Sequence, residues 1–382
     1  MEIQRELAFS QEEYDARLAR VKAQMAAEEI EVLLVHTPAN QCYLTGFQTL
    51  NLYDYSCLVI PIDGPPFVQV LEMEEGNVRL TSQIEEIVVY TSVEDPVAMT
   101  QDLLKGRGLF NRRVGLEADT PFLTPRRYAA LNQVIPNVID ASDLVKKIRL
   151  IKSPAEIDHV RQAARLTEAG MQAGLDAIGE GATDQDVARA CYASMIGGGS
   201  EYMCIDPIVT TGRRSGIPHS THKRQVVQPG DNVFIEIGAC IERYSGPIMR
   251  TAVLGSPSDN VQRTAEACFK ALDDAMAAMK PGASGDEVAR AGWVGIDRDR
   301  SEIFFHGVVA YSIGLGFPPN WGDYRLYLTK GQETLLEAGM LFHLPIALRD
   351  VGNYCVGFSE TVVVTESGCE QLTQFERQLF RC

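Results

Sequence analysis

A change of pattern at residues 145–153 is the strongest constraint on how this chain of 382 residues folds. Before it, short apolar runs that end in turn residues, such as VLLVHTPAN and YSCLVIPIDG, alternate with helical patterns, which predicts a small α/β domain. After it, Ser153, Pro154 and Glu156 form the capped start of a long amphipathic helix. Because such a length exceeds one compact core, we predict two domains. Their predicted bounds are 1–150 and 151–382.

Composition and charge exclude several classes of function. The formal net charge is −16, from 51 acidic and 35 basic residues, which argues against nucleic acid or an anionic membrane as a partner. The nine cysteines form no CxxC pair, and the N-terminal residues lack the pattern of a signal peptide. No apolar run reaches the length of a membrane helix. We therefore expect a soluble, cytoplasmic protein with reduced thiols.

The stretch DNVFIEIGACIERYSGPIMRTAVLG, from Asp231 to Gly255, reads as a pair of strands in the second domain. Together with TPANQCYLTGF, IKSPAEIDHVRQA, GIPH, YSIGLGF, LEAGMLFHLP and SETVVVTESGCEQLT, it resembles the pita-bread family of creatinase, prolidase, aminopeptidase P and methionine aminopeptidase. The motifs occur in the family's order and cover nearly the whole chain. The resemblance implies an α/β (α+β) fold, with a small creatinase-type N-terminal domain followed by a C-terminal pita-bread domain.

Peptidases of this family hold two divalent metals with Asp, Asp, His, Glu and Glu side chains. The resemblance carries those five positions onto Glu236, Pro247, Tyr311, Pro345 and Ser359, with Glu360 as the last ligand if the register slips by one. Proline has no ligand atom in its side chain, and tyrosine is a poor substitute for a neutral imidazole. One or two oxygen ligands are too few for a metal pair. We therefore predict no metal and no cofactor.

Two metal-free precedents on this scaffold, creatinase and ectoine hydrolase, cleave a C–N bond in a small compound that carries a guanidinium or amidinium and a carboxylate. Creatinases have a Glu before the Arg-Thr of the second strand and a His in the fourth motif. This chain has Met249 and Tyr311 there, so the acidic contact with guanidinium is missing. YSIGLGFPPNWGD, GMLFHLP and SETVVVTE resemble the ectoine hydrolase group more closely.

Four residues are candidates for catalysis. The resemblance makes His219 the residue that binds substrate and transfers protons, and a histidine can protonate a leaving nitrogen near neutral pH. Glu236 and Glu360 could bind a cationic nitrogen, act as a base or supply a nucleophile. Tyr311 could donate a hydrogen bond to a developing oxyanion. Each of these side chains could instead be a hydrogen-bonded residue of the core.

A second group of residues is predicted to bind the substrate. Phe317 and Trp321 could form cation–π walls, and the fork of Arg349 matches a carboxylate. Arg250 could do the same or form a structural ion pair. In this family a loop of the partner subunit often closes the pocket, which here indicates QTLNLYDY and a homodimer. The predicted substrate-binding residues are His222, His343, Phe317, Trp321, Arg349 and Tyr53.

The function predicted from the sequence is metal-independent hydrolysis of a C–N bond in a small polar amidine or amide, similar to that of ectoine hydrolase. Three alternatives remain open. They are a creatinase-like amidinohydrolase, a metal-dependent Xaa-Pro dipeptidase or aminopeptidase whose ligands are misaligned, and a catalytically inactive relative that binds a small molecule. The expected partner is a small-molecule substrate, without nucleic acid or membrane.

Overall fold

Two units make up the polypeptide in the computed structural model, which describes residues 3–296 and 303–382. The units comprise Met1–Arg149 and Leu150–Cys382. None of the helices within the described ranges is long and apolar enough to cross a membrane.

The first unit contains a mixed six-stranded sheet with helices between its strands. Its strands are β1 (Val32–Val35), β2 (Cys57–Pro61), β3 (Phe67–Leu71), β4 (Glu86–Tyr90), β5 (Val114–Leu116) and β6 (Val138–Asp140). Its helices are α1 (Gln11–Ala27), α2 (Pro38–Thr45), α3 (Glu75–Thr81), α4 (Pro96–Gly106), α5 (Pro125–Val134) and α6 (Leu144–Arg149). The strand order is β4-β3-β2-β1-β5-β6, and β1, β5 and β6 run parallel.

Local sequence accounts for these elements. The strands β1 and β2 are buried along their whole length, as their runs of Val, Leu and Ile require. The Asp95 side chain accepts hydrogen bonds from the first backbone amides of α4, and Thr124 does the same for α5. A proline occupies the first turn of both helices, where no backbone donor is needed. The unit is therefore the α/β domain that the alternating pattern predicts.

The second unit combines two pairs of helices with two larger sheets, which are antiparallel except for the parallel pairing of Ile248–Val253 with Phe380–Arg381. The helices are α7 (Pro154–Asp176), α8 (Asp184–Gly197), α9 (Asp259–Ala278) and α10 (Gly285–Ile296). The first strands are β7 (Ile208–Thr211), β8 (Asn232–Ile237), β9 (Cys240–Ile241), β10 (Tyr244–Ser245) and β11 (Ile248–Val253). The remaining strands are β12 (Ala310–Ile313), β13 (Gly322–Leu328), β14 (Leu341–Asp350), β15 (Tyr354–Val364), β16 (Cys369–Gln371) and β17 (Phe380–Arg381).

Each helix pair covers the outer face of one sheet. Helix α7 begins with a complete capping box between Ser153 and Glu156 and packs with α8 on the sheet β17-β11-β8-β7. Helices α9 and α10 pack on the sheet β13-β12-β14-β15-β16. Alternate residues of β14 and β15 are apolar and contact these helices. The other residues of these strands point to the inner face of their sheet, toward the other sheet.

The inner faces of the two sheets meet through hydrogen bonds between β8, β11 and β15. The Asn232 side chain donates to the carbonyl of Cys355 at 2.9 Å. The Gly357 amide donates to the Thr251 hydroxyl at 2.8 Å, and that hydroxyl donates to the Gly357 carbonyl at 3.1 Å. A Cβ at Gly357 would lie 2.5 Å from the Phe234 ring, so glycine permits this close approach. The sheets separate beyond this contact and leave room for a cavity.

Candidate active site

A cavity of about 660 Å³ lies between the inner faces of the second unit. Strands β7, β8, β12, β13 and β14 and the segment before β8 contribute polar lining, while Phe234, Met249 and Pro345 contribute apolar surface. A site of this size and mixed lining suits a small organic molecule. The titratable side chains that line it are His219, Glu236, His306, Tyr311, Asp323, Tyr327 and Arg349.

Glu236 lies on β8, whose neighbouring residues Ile235 and Ile237 pack against α7 and α8. The alternation of the strand therefore directs the Glu236 side chain into the cavity. The residue is only 8% exposed, and no described residue donates a hydrogen bond to its carboxylate. Burial raises the pKa of this carboxyl to about 7, although the positive charge of Arg349 acts in the opposite direction. Glu236 can therefore hold or release a proton near neutral pH.

Arg349 supplies the opposite charge in the same cavity. It lies on β14, and its backbone pairs with Phe304 through hydrogen bonds of 2.7 and 3.0 Å. The residue is 8% exposed; its Nη1 donates to the Ala347 carbonyl at 3.3 Å, while its buried Nε has no acceptor in the described part of the chain. The guanidinium forms no ion pair with a described carboxylate. It is thus available to an anionic ligand.

Two histidines lie at the cavity with different environments. His219 is exposed at the cavity rim and adopts a positive φ of 56°, a conformation that non-glycine residues seldom occupy. Part of His306 is accessible to solvent, but desolvation and the nearby charges of Arg349 and His219 lower its pKa. The structure places His219 in the cavity lining, and its role in proton transfer stays a prediction. His306 is a cavity residue that the sequence motifs do not single out.

Tyr311 lines the cavity and is held from behind by two buried side chains. The Trp321 Nε1 donates to the Tyr311 hydroxyl at 2.7 Å, and the His343 Nδ1 lies 2.8 Å from the same oxygen. On its other side, His343 Nε2 lies 2.6 Å from the Ser359 hydroxyl, which also accepts the Met249 amide at 2.6 Å. Burial lowers the pKa of His343 to about 3, so its ring stays neutral.

The five positions that the resemblance assigns to the family's metal ligands carry one carboxylate in this chain. Glu236, Tyr311 and Pro345 line the cavity, and Pro345 also pairs with Ser359 across β14 and β15. The carbonyl of Pro247 accepts a hydrogen bond from Thr361. In the two described ranges, no group of three His, Cys, Asp or Glu side chains is arranged to hold a metal ion. These residues do not fit a pair of divalent metals.

Glu360 is not in the cavity, which corrects the prediction that placed it beside Glu236. It lies on the face of β15 that also carries Phe358 and Val362, and those two residues pack against α9 and α10. Its carboxylate accepts the Arg250 Nη2 at 3.0 Å and the Thr373 hydroxyl at 2.5 Å, with Glu360 and Arg250 both fully buried. Arg250 is therefore a structural ion pair partner. A register that turns Glu360 inward is wrong, and Ser359 faces inward instead.

The remaining predicted binding residues lie at different distances from the cavity. Trp321 and His343 form a layer behind Tyr311 and do not line the cavity. Phe317 is buried with its ring centroid 5.2 Å from the Arg243 guanidinium, so its cation–π partner belongs to the protein itself. His222 is half-buried and lies outside the cavity, where its ring contacts the Thr221 hydroxyl at 3.1 Å. Tyr53 belongs to the first unit and is 90% exposed.

Sequence reasoning missed a buried ion pair at the cavity wall. Lys152 Nζ lies 2.7 Å from an oxygen of Asp323, and both side chains are 1% exposed. Asp323 lines the cavity, so the lysine offsets its charge before any ligand enters. The two residues are 171 positions apart, in the motifs IKSPAEIDHVRQA and YSIGLGFPPNWGD, and neither motif indicates that they pair.

Known proteins resemble the chain over almost its full length. Two family models match it: the creatinase/prolidase N-terminal domain over residues 17–151 and metallopeptidase family M24 over residues 158–366. An ectoine hydrolase of Halomonas elongata is 31% identical, covering 99% of both chains. A Xaa-Pro dipeptidase of Pyrococcus furiosus is 30% identical, covering 95% of this chain and 99% of the relative.

Solved structures confirm the predicted pita-bread fold. A prolidase from Thermococcus sibiricus superposes with a TM-score of 0.86 at 20% identity, covering 97% of this chain and 99% of the prolidase. An X-Pro aminopeptidase from Thermotoga maritima superposes with a TM-score of 0.84 at 21% identity, covering 96% and 99%. The chain therefore belongs to metallopeptidase family M24 and carries that family's creatinase/prolidase N-terminal domain.

Proposed function

We propose that this protein is a metal-independent hydrolase that cleaves a C–N bond in a small zwitterionic amidine or amide of the ectoine type. The observation that carries the proposal is the pair of opposite charges in one cavity. Glu236 and Arg349 are each 8% exposed, and neither has an ion-pair partner in the described part of the chain. Leaving a buried charge unpaired is unfavourable, so the cavity suits a ligand that supplies both missing partners.

The positions of the two charges define the substrate's orientation. A cationic nitrogen would lie against Glu236, and a carboxylate would accept hydrogen bonds from the fork of Arg349, including its unused Nε. The raised pKa of Glu236 reflects its desolvation, and a bound amidinium would restore the ionised form. The apolar surface of Phe234 and Met249 would contact the carbon skeleton. Met249 on β11 pairs with Glu236 on β8, at the position where a creatinase would carry a second carboxylate for the guanidinium. The absence of that carboxylate favours an amidine or amide over creatine as the substrate.

The reaction can be assigned to residues that line the cavity. Water adds to the amidine or amide carbon, Tyr311 donates a hydrogen bond to the heteroatom that gains electron density, and the C–N bond then breaks. His219 delivers the proton to the departing nitrogen, and Glu236 binds the cation and accepts a proton from the attacking water. Since the donor set does not fit a metal pair, each step relies on these side chains alone.

A substrate panel tests the proposal directly. Purified protein is assayed with ectoine, hydroxyectoine, creatine and Xaa-Pro dipeptides, with and without a chelator, while elemental analysis measures bound metal. We expect turnover of a cyclic amidine that chelation leaves unchanged, with well under one divalent ion per chain. Turnover of Xaa-Pro dipeptides that depends on added Mn²⁺ or Zn²⁺ would contradict the proposal. Binding of ectoine without turnover would identify an inactive binding protein instead.

The role of Arg349 can be separated from a general loss of charge. Arg349→Met should raise KM about 10- to 100-fold, the loss of a charged hydrogen bond worth about 1.5–3 kcal/mol, with a smaller effect on kcat. Arg165→Met on the exposed side of α7 is the matched control and should leave KM unchanged. Equal KM values in both variants would remove Arg349 from the binding site.

We also propose a homodimer in which the QTLNLYDY segment of the partner subunit completes the pocket. The exposure of the Tyr53 side chain, at 90%, suits a residue that contacts another chain. Light scattering at the assay concentration should give twice the mass of one chain, and Tyr53→Ala should raise KM. A fully active monomer would contradict this assembly.

A further inference from the structure

The side chains behind Tyr311 form a continuous chain of hydrogen bonds where peptidases of this fold carry metal ligands. It runs from the Met249 amide to the Ser359 hydroxyl, then through both ring nitrogens of His343 to the Tyr311 hydroxyl, which also receives Trp321 Nε1. Its contacts measure 2.6 to 2.8 Å. Ser359, His343 and Trp321 are at most 1% exposed, so neighbouring protein groups, and not solvent, determine which atom donates in each hydrogen bond.

Ser359 determines that direction. Its oxygen accepts the Met249 amide, and the part of the chain that the structure describes offers its hydrogen one acceptor, His343 Nε2. If His343 carried its proton on Nε2, the Ser359 hydrogen would be buried without a partner, an arrangement that costs about 1–3 kcal/mol. The favoured arrangement has Ser359 donating to Nε2. Because His343 is neutral, its single proton then lies on Nδ1 and is donated to Tyr311.

Tyr311 consequently accepts two hydrogen bonds, from Trp321 and from His343, and its own hydrogen is not used within this network. The ring lines the cavity, so the remaining direction for that hydrogen leads into it. We infer that Ser359, His343 and Trp321 are positioning residues that lock Tyr311 as a hydrogen-bond donor to the substrate. Burial and the charge of Glu236 raise the pKa of Tyr311 above its ordinary value, which keeps the phenol protonated at neutral pH.

The catalytic role inferred for Tyr311 rests on the proposed function. The proton positions on Ser359, His343 and Tyr311 do not, because they are derived from the hydrogen bonds and the neutral His343 ring. A donor held in place before the substrate arrives stabilises developing negative charge without reorganising during the reaction. Were the network reversed, Tyr311 would donate to His343 and present only a lone pair to the cavity. The same phenol would then bind a cation or a donor, and it could not stabilise an anionic centre.

The tautomer of His343 is measurable in the wild-type protein without any substrate. Long-range ¹H–¹⁵N correlation spectra of protein with ¹⁵N-labelled histidine distinguish Nδ1–H from Nε2–H, and the signals of His343 are those lost in His343→Gln. We expect the Nδ1–H tautomer at neutral pH. Should that variant fail to fold, neutron diffraction from deuterium-exchanged wild-type crystals locates the same proton. The Nε2–H tautomer in either measurement overturns the inference.

A double-mutant cycle tests the positioning role. Ser359→Ala should lower kcat about tenfold, the equivalent of one lost hydrogen bond, when Tyr311 is present. In the Tyr311→Phe background the same change should lower kcat less than about twofold, because there is no hydroxyl left to position. Equal losses in both backgrounds would mean that Ser359 acts only structurally. Absence of turnover on every substrate would defeat the proposed function, whereas the tautomer measurement would still decide the network.

Discussion

Replacing Glu236 by Gln should abolish turnover and, at alkaline pH, make the folded protein more stable. The wild-type carboxylate must ionise within a cavity where no described residue donates to it, and burial raises its pKa to about 7. Gln has nearly the same shape and no charge. The variant therefore loses the group that binds the substrate's cation, and it also loses the unfavourable ionisation of a buried acid.

The sign and size of the stability effect follow from linkage. Between the ordinary pKa of 4.5 and the folded value of about 7, the unfolded chain releases its proton while the folded protein keeps it. The free energy of unfolding of the wild type therefore falls as pH rises through this window. At 1.36 kcal/mol per pH unit, the full difference is about 3 kcal/mol. From about pH 5 to about pH 8.5 the variant should gain roughly 2–3 kcal/mol relative to the wild type.

Urea unfolding monitored by tryptophan fluorescence measures this difference. Both tryptophans, Trp293 and Trp321, belong to the second unit, so the signal reports on the unit that contains Glu236. Glu266→Gln serves as the control, because it removes a carboxyl that is exposed on α9 and not buried. A stability difference between Glu236→Gln and wild type that stays constant with pH would refute the reasoning, as would retention of near wild-type kcat.

Three further substitutions and one control variant test other parts of the second unit. His219→Ala should lower kcat roughly 10²–10⁴-fold in steady-state assays, whereas His222→Ala, which alters a half-buried residue outside the cavity, should leave kcat near wild type. Arg250→Met leaves the buried Glu360 carboxylate unpaired and should destabilise the protein by about 3–5 kcal/mol in urea unfolding. Gly238→Ala places a Cβ 3.1 Å from the Trp321 ring, so tryptophan fluorescence should shift and kcat should fall.

The fold could be predicted because its evidence is distributed along the chain. The capped helix start at Ser153, the strand motifs and their order each constrain a different element, and the structure contains them in that order. Strands β1 and β2 of the first unit could likewise be predicted, because each is an apolar run that ends in turn residues. These signals are local, so neighbouring residues suffice to interpret them.

The site was predicted only in part because its decisive contacts are not local. His219, Glu236, Tyr311 and Arg349 line the cavity, but Ser359 and Glu360 are adjacent, and a shift of one residue in a strand exchanges the two faces. Sequence alone offers both registers. The structure selects one, since Phe358 and Val362 pack against helices and carry Glu360 to their side of the sheet.

The charge balance of the cavity explains how a family of metallopeptidases can include such a site. The family's ligand set of four carboxylates and one histidine balances two divalent cations. Loss of the cations alone would leave four buried negative charges, which no fold tolerates without partners. Here one carboxylate remains, Glu236, and one buried cation, Arg349, lies within range to lower its pKa. Neutral hydrogen-bonding groups, Tyr311 and Ser359, take two of the other positions. In the proposed function, a substrate that carries one charge of each sign would therefore pair with Glu236 and Arg349 without changing the net charge of the cavity.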